Sequence, residues 1–106
     1  MSEILELTKE NFKTEALEKD YLIVIDFWAT WCGPCQMLSP IVDELSEEIS
    51  DVKFCKINVD EQPELAMQFG IKSIPTLIFM KNSKTVDISI GLVTKEELRE
   101  IIGRSK

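Results

Sequence analysis

Two cysteines three residues apart, in the run Trp31-Cys32-Gly33-Pro34-Cys35, constrain this 106-residue chain more than any other feature. Gly and then Pro fill the gap between them, and at average usages of ~7% and ~5% that dipeptide is a roughly 300-fold coincidence. An apolar, β-rich stretch over 21–28 precedes the run and an amphipathic stretch over 34–49 follows it. The run must therefore join a strand to a helix. Two thiols at such a joint can close a small disulfide without refolding anything. Pro34 suits the first helical turn, where its missing N–H costs nothing and its fixed φ stiffens the loop.

A helix N-terminus presents unpaired N–H groups and roughly half a positive charge, which favours a thiolate on Cys32. Cys35 lies one turn inside and can turn its sulfur back. The outer thiol then reads as the nucleophile and the inner one as the resolving group. A structural disulfide and a zinc site are the competing readings. Tetrahedral zinc wants four Cys or His ligands, and the chain offers no histidine and only one more cysteine, Cys55, so no metal is expected.

Without histidine, the proton that Cys35 must lose needs another acceptor. Asp26 is a lone carboxylate within Leu22-Ile23-Val24-Ile25-Asp26-Phe27-Trp28, and burial there would raise its pKa toward neutrality. A structural pair with Lys56, on the neighbouring predicted strand, is an equal alternative on these residues alone. Trp28 reads as core, and Trp31 as the rim of an exposed Cys32. Pro40 should kink the long helix. Cys55 reads as a small buried apolar residue. Ile74-Pro75-Thr76 opens a strand, and an X–Pro bond is cis in only ~5–6% of cases in folded proteins.

Along the chain, residues 4–7 read as a short strand, with Thr8 capping a helix through about 17. Residues 21–28 predict a strand covered on both faces. The helix over 34–49 repeats Met37, Leu38, Ile41, Val42, Leu45 and Ile49 at helical spacing, with Asp43, Glu44, Glu47 and Glu48 opposite. Residues 52–59 predict a second inner strand. A short helix over 63–69 takes Pro63 in its first turn and Gly70 at C′. Strands over 76–80 and 85–90 flank a hairpin turn at 81–84. Thr94 and Glu97 stand at capping-box spacing before a last helix that buries Leu98, Ile101 and Ile102. The order β-α-β-α-β-α-β-β-α implies one mixed sheet with helices on both faces, in a single domain over 1–106.

A formal charge of −7, from 12 basic and 19 acidic side chains, repels phosphate backbones and anionic membranes. No nucleic-acid or membrane partner is expected, and the acidic helix faces (Glu44, Glu47, Glu48; Glu96, Glu97, Glu100) read as solvated surface. Met1-Ser2-Glu3-Ile4 shows no basic region leading into a long apolar run, and the longest apolar run, 21–25, is far short of a membrane span. An odd cysteine count without an export signal points to a reducing compartment, hence the cytoplasm.

With Asp26, Trp28, Trp31-Cys32-Gly33-Pro34-Cys35, Pro40, Ile74-Pro75-Thr76 and Gly91 in this order, the chain resembles the bacterial-type thioredoxin family from about residue 5 to 102. The resemblance implies an α/β thioredoxin fold, a three-layer sandwich with a central mixed five-stranded sheet flanked by four helices. It implies a redox-active Cys32–Cys35 disulfide that reduces disulfides in partner proteins and is recycled by a flavin-dependent, NADPH-fed thioredoxin reductase. No cofactor is implied on this chain, and a monomer is expected. Asp26 becomes the proton acceptor for Cys35, with Lys56, Gly33, Pro34 and Trp28 modulating the pair. A cis Ile74–Pro75 bond would hold a partner's extended backbone beside Cys32. Trp31, Gly33, Pro34, Ile74, Pro75, Ile90, Gly91 and Leu92 would form an apolar docking surface. Gly33-Pro34 resembles the dipeptide of reductants, not the Gly-His of isomerases. The alternative is a redox-switched adaptor for one partner protein. Gln36 departs from a frequent Lys or Arg, Leu92 from a usual small residue, and Asn82-Ser83 from a turn with glycine.

Overall fold

A computed structural model of the chain describes residues 4–106; Met1, Ser2 and Glu3, on which the absence of a leader was read, lie outside the described residues. Five strands form one sheet in the order β1-β3-β2-β4-β5. They are β1 (Leu5–Glu6), β2 (Ile23–Trp28), β3 (Lys53–Asn58), β4 (Thr76–Lys81) and β5 (Lys84–Ile90). The first three run parallel, and β4 and β5 each run antiparallel to the neighbour before them. The helices are α1 (Phe12–Ala16), α2 (Gly33–Glu48), α3 (Pro63–Gln68) and α4 (Lys95–Ser105).

Because strand side chains alternate, β2 feeds two cores at once. Ile23, Ile25 and Phe27 point to one face and pack with Phe12 and Ala16 of α1 and Leu65 of α3. Val24 points to the other, among Leu38, Val42 and Leu45 of α2 and Leu98 and Ile102 of α4. The expected three layers follow from this division. It also sends Asp26 and Trp28, which share the phase of Val24, toward the underside of α2.

Three expectations need correction. Thr8 does not cap α1: Asn11 holds the N-cap position, and its side chain makes no cap hydrogen bond because Thr8 and Asn11 close a turn on each other first. The Thr8 N–H donates to Asn11 Oδ1 (2.7 Å) and the Asn11 N–H to Thr8 Oγ1 (3.3 Å). Tyr21 lies outside β2 and is 38% exposed. Met37 belongs to no core: it is 62% exposed, while Leu38 beside it is fully buried. Pro40 lies inside α2, which continues on both sides of it. The hairpin needs no glycine, since Asn82 and Ser83 both adopt positive φ (54° and 66°). Hydrogen bonds to the 18–19 loop hold it, from the Asn82 N–H to the Lys19 carbonyl (2.8 Å) and from the Glu18 N–H to Ser83 Oγ (2.7 Å).

Candidate active site

β2 ends at Trp28, and four residues later Cys32 serves as the N-cap of α2. Its sulfur accepts the Cys35 N–H at 3.2 Å, so a sulfur replaces the usual capping oxygen at the positive end of the helix. Cys32 and Cys35 are joined as a disulfide, with their Cα atoms 5.3 Å apart. Pro34 occupies the first turn, as its fixed φ requires. Cys32 is not the exposed thiol that the sequence suggested. It is 5% exposed against 3% for Cys35, because Trp28, Ala29, Val59 and Ile74 pack around the pair. Gln36 donates from Nε2 to the Thr30 carbonyl (2.9 Å), pinning the preceding loop to the helix.

Below the disulfide, a pocket of about 110 Å³ is lined by Asp26, Trp28, Cys35, Gln36, Ser39 and Lys56. Asp26 is 6% exposed, and its Oδ1 has no hydrogen-bond partner. Burial pushes its carboxyl from 3.8 up to about 7, against the pull of Lys56 and with a small push from Asp43. Lys56 is opposite Asp26 in the β2–β3 register, yet among the described residues the two form no direct ion pair. The ammonium lies instead over the Trp28 ring, 5.4 Å from its centroid. Trp28 is half-buried, not core, and its Nε1 also lacks a partner.

Around the pair runs an apolar rim. Ile74–Pro75 is a cis peptide, Ile74 packs against the disulfide cluster, and Pro75 is buried. The Gly91 N–H donates to the Pro75 carbonyl (2.8 Å) with Gly91 at φ +93°, a conformation costly for any other residue. That bond draws the 90–92 segment against the cis-proline loop. Trp31 (70% exposed), Ile90 (69%) and Leu92 (43%) stand open on the rim, with Gly33 and Pro34 also exposed.

Sequence reasoning missed Asp60 and Val59. Trp31 Nε1 donates to Asp60 Oδ2 at 2.8 Å, which fixes the exposed indole. Both missed residues follow β3 directly, and Asn58 pairs with Trp28 across the sheet. The signal was there: the C-terminal ends of adjacent parallel strands lie on the same edge, so residues following β3 reach those following β2. Cys55 lies in β3, fully buried, its thiol pushed up to about 11 by burial. Among the described residues no cluster of His, Cys, Asp or Glu is placed to hold a metal ion.

The family model described as Thioredoxin matches residues 3–104. The thioredoxin of Rickettsia prowazekii is 48% identical over 100 residues, which cover 93% of this chain and 95% of that protein. Thioredoxin 1 of a Nostoc species is 43% identical over 103 residues, 96% of each chain. Among solved structures, the thioredoxin Mala s 13 of Malassezia sympodialis superposes with a TM-score of 0.88 at 34% identity. That superposition covers 100% of this chain and 94% of the other.

Proposed function

The chain belongs to the thioredoxin family and is a disulfide reductase that works by dithiol–disulfide exchange at Cys32 and Cys35; from that premise we propose that Cys32 attacks, Cys35 resolves and Asp26 takes the proton between them. In the dithiol form, the Cys32 thiolate displaces one sulfur of a partner protein's disulfide. A mixed disulfide forms, and the leaving thiolate takes up a proton. Cys35 then gives its proton to Asp26 through the pocket beneath it and attacks the Cys32 sulfur. The Cys32–Cys35 bond closes, the partner leaves as a dithiol, and two electrons have passed to it. Lys56 moderates the charge on Asp26, with Trp28, Gly33 and Pro34 holding the geometry. Trp31, Ile74, Pro75, Ile90, Gly91 and Leu92 receive the partner's apolar surface.

One observation carries this reading: a sulfur-capped helix N-terminus directly above a buried carboxyl group that titrates near neutral pH. The dithiol is regenerated by a thioredoxin reductase, and the 106 residues act as one domain, a monomer of the cytoplasm. Its charge of −7 supports the monomer through mutual repulsion. Among the described residues no helix is long and apolar enough to cross a membrane.

Insulin reduction by dithiothreitol tests the activity: the protein should accelerate it, and an unchanged rate would remove the reading. Replacing Cys35→Ser should leave mixed disulfides on Cys32 that mass spectrometry identifies. Partners trapped by Cys32→Ser and not by Cys35→Ser would reverse the assigned roles.

A further inference from the structure

Met37 was expected in the core and is 62% exposed; among the described large apolar side chains only Met67, Trp31 and Ile90 are more open. It does not stand in isolation. Pro34, Met37 and Ile41 follow one another at i, i+3 and i+7, so a single stripe of α2 runs outward from beside the disulfide. The facing wall is the 92–94 segment, which continues from Gly91 and its hydrogen bond to Pro75. Between the two walls lies a groove of about 300 Å³, lined by Met37, Ile41, Leu92, Val93, Thr94 and Glu97. Both walls thus begin at the rim over which disulfide exchange takes place.

We propose that this groove is a side-chain subsite for the partner protein, taking an apolar residue two to four positions from the cysteine under attack. The proposal rests on the reductase reading above, since exchange obliges the partner's chain to cross the rim. Seven helical residues from Pro34 to Ile41 span about 10 Å. An extended partner chain advances ~3.3 Å per residue, so a side chain about three positions from its cysteine reaches the groove. The chemistry of the walls selects the occupant. Four aliphatic side chains line it, and the polar groups at its far end are engaged with each other: the Thr94 N–H donates to Glu97 Oε1 (3.0 Å) and the Glu97 N–H to Thr94 Oγ1 (3.1 Å). That bonding holds Glu97 below its ordinary pKa, so it stays anionic and repels an acidic occupant. Leu92, 43% exposed, stands among the residues that line the groove.

Disulfide-bridged peptides carrying Leu or Ser two, three or four residues from the cysteine provide the test, with kcat/KM measured for each. The wild-type protein should favour at least one Leu peptide over its Ser counterpart by about tenfold. Met37→Ser and Leu92→Ser, both at exposed positions that folding tolerates, should each bring that ratio toward one. A preference that survives both substitutions places discrimination elsewhere and overturns the subsite. So does a wild-type protein that reduces insulin but treats Leu and Ser peptides alike. A protein that reduces neither insulin nor peptides removes the reductase reading and the subsite with it.

Discussion

Cys55 and Cys32 are both buried, at 0% and 5% exposure, yet only Cys32 stands at a helix N-terminus. Depth alone therefore does not decide reactivity; what each sulfur faces does. Cys55 sits in the middle of β3, between Leu5 and Ile25 on the adjacent strands, and burial raises its thiol to about 11. At pH 8 its thiolate is on the order of one part in a thousand. Brief iodoacetamide treatment of the reduced, native protein should label Cys32 and spare Cys55 until denaturant is added. Peptide mapping would expose the error if Cys55 were alkylated at a comparable rate. Asp26 yields a second test at this scale. Replacing Asp26→Asn should slow release of the partner from the mixed disulfide at pH 7 by on the order of 10², the usual worth of a placed base. Asp26 accepts a proton only when ionised, so the wild-type rate should rise with pH through about 7. The variant should lack that inflection in stopped-flow traces.

At the scale of elements, two glycines separate backbone geometry from propensity. Gly70 follows α3 at φ +67°, and a Cβ placed there would meet nothing within 4 Å. Gly103 lies in the last turn of α4, also with open space around it. Gly70→Ala should therefore destabilise by about 1 kcal/mol through the left-handed backbone alone. Gly103→Ala should stabilise by roughly 0.5–1 kcal/mol through helix propensity. Urea midpoints that moved the same way in both variants would refute that division. Elements with strong local signals were legible in the sequence: the Thr94–Glu97 capping box, Gly70 after α3, the apolar run of β2. The cap of α1 was not, because Thr8 and Asn11 could each cap a helix or bond the other, and only geometry chooses. Met37 was misread for a related reason. Helical periodicity assigns a stripe, but whether anything packs on the edge of that stripe depends on where α4 lies. Cys32, Cys35 and Asp26 were legible as chemistry, whereas Asp60 and Val59 join the site only through the pairing of β2 with β3.

For the molecule as a whole, Asp26 imposes a cost whose sign is opposite to that of the surface carboxylates. Unfolded, its carboxyl ionises near 3.8; folded, near 7, chiefly because burial penalises the charge. Between those values the folded protein holds a proton that the unfolded chain has lost. Raising the pH from about 4 to 7 therefore drains stability, and above 7 the loss is complete, on the order of 4 kcal/mol for about three units. Glu15, Glu48, Asp51 and Glu97 behave the other way, their pKa values lowered mainly by hydrogen bonds to Lys53, to Lys95, to Lys106 and to Thr94. They favour the folded state above their ordinary pKa values and withdraw that support as the pH falls below them. The wild-type curve mixes both trends, but its difference from Asp26→Asn cancels the surface groups. With the disulfide kept closed, urea denaturation should find the variant more stable by several kcal/mol at pH 8. That advantage should shrink steadily and vanish near pH 4, where the wild-type carboxyl is neutral in both states. Parallel curves would mean that Asp26 is already ionised in the folded protein at acid pH, held by Lys56 as a structural pair, and its role as proton acceptor would fall with them.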